Sequence, residues 1–145
     1  MPNYKVSFAV DDGCDVDLQR LRAGVEWVLR DAGIARATVS VAIVDDATIH
    51  ELNVRYLAHD WPTDVLSFLL ESGEDSLEGE IVVSTDTATS MARELGRSPA
   101  DELLLYVVHG ALHLVGYDDQ DDASRADMRA REASILARLG VADVS

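Results

Sequence analysis

Two histidines, His109 and His113, stand four residues apart inside a strongly apolar run. On a helix, residues at i and i+4 lie on one face, one turn apart, so two such imidazoles can share one metal ion. Gly116 follows and tolerates the left-handed conformation that ends a helix. Asp118 and Asp119 come directly after, and a carboxylate from that turn can come back to the metal. The spacing H-x3-H-x5-D supplies His109, His113 and Asp119 and leaves a fourth position for water. Three protein ligands with one open position is how catalytic zinc is held. The competing reading is that of core histidines with satisfied hydrogen bonds, since H-x3-H alone is a weak signal that the Gly turn and the carboxylates strengthen.

The elements around this stretch must position it. Ser98 is a good N-cap, Pro99 suits the first helical position, and Asp101 and Glu102 suit the positive end of the helix dipole. Ser98-x-x-Asp101 is close to a capping box. Leu103 to Val108 and Ala111 to Val115 are apolar nearly all round, which predicts a buried helix. Before it, Tyr4 to Val10 alternates as a strand and Asp17 to Asp31 carries a helical stripe closed by Gly33. Thr38 to Val44 is a second strand, and Asp45 or Asp46 can cap a helix running through Ile49, Leu52 and Tyr56. A polar loop from His59 to Asp64 leads to a short third strand, Val65 to Phe68. The acidic segment Glu71 to Glu78, with Gly73, reads as an exposed loop, and Gly79 to Ser84 as a fourth strand. Thr85 to Leu95 is a helix with Ala88, Met91, Ala92 and Leu95 inward, closed by Gly96. A last helix runs from about Asp122 to Leu139, with Met128, Ile135, Leu136 and Leu139 inward and Gly140 at its end. The expected fold is one α+β domain over residues 1–145: a four-stranded mixed sheet, about five helices, and the histidine helix buried.

A chain of 145 residues with 48% hydrophobic residues can bury a sizeable core in one domain. Its single cysteine, Cys14, excludes an internal disulfide and a Cys-rich zinc site and fits a reducing cytoplasm with no disulfide-linked partner. No signal-peptide shape opens the chain and no run is long enough to span a membrane. The net charge of −15 argues against tight, sequence-independent coating of nucleic acid. A local basic groove remains compatible with it, because steering follows local potential. Arg55 is the candidate contributor of positive charge, and therefore of substrate contact, near the histidines.

Three segments carry a resemblance. HGALHLVGYDD, from His109 to Asp119, resembles HGxLHLxGYDH of the YbeY family. Leu52-Asn53 through Tyr56-Leu57, Asp60 and Pro62-Thr63-Asp64-Val65-Leu66-Ser67-Phe68 resembles that family's LN..YRG.D.PTDVLSFP. Gly79-Glu80-Ile81-Val82-Val83-Ser84 resembles its GDIVIS. Order and spacing agree, and with the last helix the likeness covers roughly residues 38 to 140. The resemblance implies a zincin-like fold, one Zn²⁺, and single-strand-specific endoribonuclease activity in the cytoplasm. It further implies 16S ribosomal RNA 3′-end maturation and ribosome quality control. Ribosomal RNA and the ribosome or its associated proteins would be the partners.

Two positions depart from the family. Asp119 stands where the family has its third histidine. Carboxylate is an acceptable zinc ligand, but its charge raises the pKa of a bound water and favours harder ions such as Mn²⁺ or Mg²⁺. Leu57 stands where the family has an arginine, and leucine cannot hydrogen-bond a phosphate.

A divalent ion brings water to ionisation near neutral pH, ready to attack a phosphodiester or an amide. The protease pattern HExxH places a glutamate beside the first histidine as general base. Here that residue is Gly110, which argues against peptide hydrolysis by that route. Asp64 and Asp118 are the candidate catalytic carboxylates, each also suited to a turn. The readings in play are therefore a metallo-endoribonuclease, a zincin-like protease or amide hydrolase, and a ribosome-associated relative without catalysis.

Overall fold

The computed structural model describes residues 2–10, 16–57, 65–117 and 121–141, with the backbone alone for 52–57. The elements are β1 (Asn3–Val10), α1 (Leu18–Asp31), β2 (Arg36–Val44), α2 (Asp46–Leu57), β3 (Val65–Ser72), β4 (Ser76–Ser84), α3 (Thr85–Leu95), α4 (Pro99–Leu114) and α5 (Asp122–Arg138). One four-stranded sheet has the order β1-β2-β4-β3. The β1–β2 and β2–β4 pairs are parallel, and β3 runs antiparallel to β4. This is the expected mixed α+β architecture with the expected histidine helix at its centre.

Period-two alternation in β2 and β4 decides which face meets which helix. Val39, Val41, Ile43, Leu77, Ile81 and Val83 point into the main core with α1, α4 and α5. Val44 and Val82 point the other way, onto Ile49 of α2 and Leu66. Helix α4 is buried along Leu103, Leu104, Tyr106, Val107, Val108, Ala111, Leu112 and Leu114. It touches α1, α3, α5, β3 and β4, so the histidine turn is clamped from several sides.

Polar side chains start the helices as the sequence suggests. Asp17 accepts from the Arg20 amide at 3.2 Å and Asp121 from the Ser124 amide at 2.7 Å. Asp45 accepts from the Thr48 amide at 2.7 Å. Asp46 instead receives the hydroxyls of Ser84 and Thr87, and its own amide donates to Asp86 at 3.0 Å, which ties the starts of α2 and α3 together.

Three expectations are corrected. The segment Glu71 to Glu78 is a hairpin, not a loop: β3 continues to Ser72, β4 begins at Ser76, and the Gly73 amide donates to the Ser76 carbonyl at 2.8 Å. Its outward faces are acidic, so only the buried Leu77 betrays the strand. Leu95 is 50% exposed, because it sits in the last turn of α3, where Gly96 at φ 69° redirects the chain and only Ala88 and Ala92 are buried. Asp101 does not complete a capping box. It pairs with Arg20 of α1 at 2.8 Å, while Ser98 accepts from the Ala100 amide at 3.2 Å.

Candidate metal centre

His109 and His113 lie on one face of α4, both only partly exposed amid its buried residues. Their rings stand edge to face, centroids 4.7 Å apart at 80°. The two Nε2 atoms approach to 3.1 Å. Two nitrogens bound to one tetrahedral ion at about 2.0–2.1 Å are separated by about 3.3 Å. The observed separation is close to that and is also hydrogen-bond distance between the two rings, and a pair of imidazole nitrogens is a donor set that suits zinc.

The other ring nitrogen of His109 is engaged from α5. His109 Nδ1 lies 2.6 Å from Glu132 Oε1, and the Glu132 side chain is only 12% exposed. A carboxylate accepts and does not donate, so Nδ1–H donates to it. Glu132 thus faces the side of the ring opposite the nitrogen aimed at His113. The sequence reading missed Glu132. The signal for it was an acid at i+4 from Met128 and i−3 and i−4 from Ile135 and Leu136, interrupting a buried stripe.

Gly110, between the histidines, faces the sheet. A Cβ there would lie 2.7 Å from Ile81 Cγ2 and 3.1 Å from both Ser67 Oγ and Val65 Cγ1. The Ser67 hydroxyl also donates to the Gly110 carbonyl at 3.0 Å. No side chain at position 110 could turn back to the histidine centre, so the glutamate of the protease pattern has no place here.

Asp64, Asp118 and Asp119 lie outside the described residues. Among the described residues, no further His, Cys, Asp or Glu completes a three-ligand cluster with the pair. Arg55 is a backbone position in α2 and Leu57 is its last residue; their side chains are likewise outside the description. An arginine that the sequence reading did not single out contacts Tyr117, just past the end of α4. Arg131 precedes Glu132, its Nε donates to the Tyr117 hydroxyl at 3.3 Å, and its side chain remains 42% exposed. Tyr117, Asp127, Ala130 and Arg131 line one open cleft just past the end of α4. Arg131 also approaches Asp31 at 3.7 Å.

Fold and site together have the form of a small α+β hydrolase built around a histidine-bearing helix. The family profile described as Endoribonuclease YbeY matches residues 8–140. The chain belongs to the endoribonuclease YbeY family, a family of metal-dependent hydrolases of RNA phosphodiester bonds. An endoribonuclease YbeY from Rhodopirellula baltica is 50% identical over 111 residues, covering 75% of this chain and 57% of that protein. One from Moorella thermoacetica is 48% identical over 121 residues, covering 75% of this chain and 78% of the relative. One from Pelotomaculum thermopropionicum is 39% identical and covers 96% of this chain and 95% of its own. The solution structure of TM1509 from Thermotoga maritima superposes with a TM-score of 0.67 at 30% identity, covering 94% of this chain and 88% of that one. No helix among the described residues is long and apolar enough to cross a membrane.

Proposed function

We propose that this protein is a metal-dependent, single-strand-specific endoribonuclease acting in 16S rRNA 3′-end maturation and ribosome quality control in the cytoplasm. One catalytic domain spans residues 1–145, and ribosomal RNA with the ribosome or its associated proteins are the partners. The observation that carries the reading is the 3.1 Å approach of two Nε2 atoms within the family's histidine segment. His109, His113 and Asp119 hold one ion, Zn²⁺ by donor type, with Mn²⁺ or Mg²⁺ made more competitive by the carboxylate. A divalent ion there supplies a Lewis acid for a phosphoryl oxygen and lowers the pKa of water toward neutrality.

The chain's own residues do the rest. Helix α4, pressed on β4 through Gly110, fixes the direction of both imidazoles. The exposed guanidinium of Arg131 meets the phosphate of an incoming strand, with Tyr117 at its side for an unstacked base. Arg55 is a second candidate for that contact. Asp64 and Asp118 are the candidates for moving a proton. A second reading, a ribosome-associated relative without catalysis, is favoured by Leu57, which leaves the family's arginine unreplaced at that position.

The deciding experiment incubates purified protein with single-stranded RNA and added Zn²⁺ or Mn²⁺, with bound metal measured by elemental analysis. The parent is expected to bind one ion per chain and to cut RNA. His109→Ala and His113→Ala should lose the ion, and Asp119→Ala should bind it markedly more weakly. Leu57→Arg should raise the rate, by up to about 10²–10³-fold if the new guanidinium reaches the developing phosphoryl charge. A parent and a Leu57→Arg variant that both keep metal and both leave RNA intact would transfer the assignment to the non-catalytic relative. Full metal retention by Asp119→Ala would remove Asp119 from the ligand set.

A further inference from the structure

We propose that Glu132 is a positioning residue of the metal centre, holding His109 in the Nδ1–H tautomer so that its Nε2 lone pair points at the ion. The inference rests on the reading above that His109 and His113 bind metal. Its basis is the contact itself: His109 Nδ1 to Glu132 Oε1 at 2.6 Å, made across the α4–α5 interface by two side chains that are 30% and 12% exposed. The tautomer of a metal-binding imidazole is set by the hydrogen bond that its second nitrogen makes. With Nδ1–H committed to a carboxylate, Nε2 of the neutral ring has only its lone pair to offer, and that atom is the one 3.1 Å from His113 Nε2. Without the carboxylate, both neutral tautomers are populated, and part of the population presents an N–H to the ion.

A purely structural role for Glu132 makes a different forecast. The residue lies on the inward stripe of α5 with Met128, Ile135 and Leu136. A leucine there would continue that stripe, while the His109 Nδ1–H, on a ring that is 30% exposed, would lose its carboxylate acceptor. Fold stability and metal positioning therefore separate best in Glu132→Gln, which keeps the size and an acceptor oxygen but not the charge, whereas a residue that served only to join two helices would leave the His109 tautomer unchanged.

The test uses the full chain, stripped of metal and then titrated with zinc, for the parent, Glu132→Leu, Glu132→Gln and His109→Ala. Zinc affinity is measured by competition with a chelator. The His109 tautomer is read in the metal-free protein from long-range ¹H–¹⁵N couplings of the ring. The expected result is a loss of about 10–100-fold in zinc affinity in Glu132→Leu, with a cooperative melt of the metal-free protein showing that the fold is retained. Glu132→Gln, whose amide can accept through oxygen or donate through nitrogen, should fall between that variant and the parent. In both variants His109 should shift from Nδ1–H toward a mixture with Nε2–H. Zinc affinities within about threefold of the parent in both variants, or a His109 tautomer that does not change, overturn the proposal. If Glu132→Leu fails to fold, Glu132→Gln decides by the same two readings. His109→Ala separates this failure from that of the metal reading. If it binds zinc like the parent, the metal centre itself is wrong; if it loses zinc while the Glu132 variants do not, only the role of Glu132 falls.

Discussion

At the scale of single residues, Gly110 illustrates how packing and chemistry constrain the same turn. The space that a methyl group would need is filled by Ile81, Ser67 and Val65. Gly110→Ala should gain up to about 1 kcal/mol in helix propensity and lose about 1–3 kcal/mol to overpacking. The expected net is a destabilisation, read as a lower urea midpoint at unchanged slope, accompanied by weaker zinc binding as α4 lifts from β4. An unchanged or higher midpoint would show that the helix relaxes without strain. The histidine pair was legible in the sequence because its two members are neighbours on one helix, where periodicity alone brings them together. Glu132 was not, because it reaches His109 from another helix, and no local spacing encodes a contact between helices.

At the scale of elements, caps were the most legible feature and strand extent the least. Asp17, Ser98 and Gly96 mark helix ends by chemistry that acts within a few residues. The β3–β4 hairpin was hidden because Glu71 pairs opposite Glu78 on an exposed face, where composition resembles a loop. Caps also set the acid response. Hydrogen bonds from the side chain and amide of Thr48 hold Asp45 below its ordinary value of 3.8, and those from the amide and side chain of Ser124 do the same for Asp121. A depressed pKa in the folded state contributes stability that is fully present above the unfolded value. That contribution is lost as pH falls through the folded value. The protein should therefore weaken below about pH 4, with α2 and α5 losing their capping charge. Asp45→Asn and Asp121→Asn keep a capping oxygen but cannot titrate. They should flatten that acid limb in melts of the metal-free protein followed against pH, and an acid limb as steep as the parent's would assign it to other carboxylates.

At the scale of the whole molecule, the net charge of −15 repels RNA, and the arginines decide where it can approach. Most of them lie on α1 and α5, the latter bearing both Arg131 and Glu132. Arg131→Ala is expected to weaken single-stranded RNA binding evenly across sequences. It should also reduce the slope of log affinity against log salt by about 0.7, the contribution of one phosphate contact. Fluorescence anisotropy over a salt series checks this, and an unchanged slope would place the RNA path elsewhere. The same charge bears on the far end of the sheet. Strand β3 forms one edge and carries Leu69 and Leu70 at 51% and 60% exposure, next to the register shift between Leu69 and Glu71. A greasy edge of this kind invites a second copy to add its own strand, unless something keeps copies apart. Glu71, Glu74, Asp75 and Glu78 flank it, and the surplus of acid holds neighbouring molecules off at distances of about a Debye length, roughly 10 Å at 0.1 M salt. Colloidal stability in this protein is thus a property of its acidic hairpin as much as of its core, and it weakens in concentrated salt.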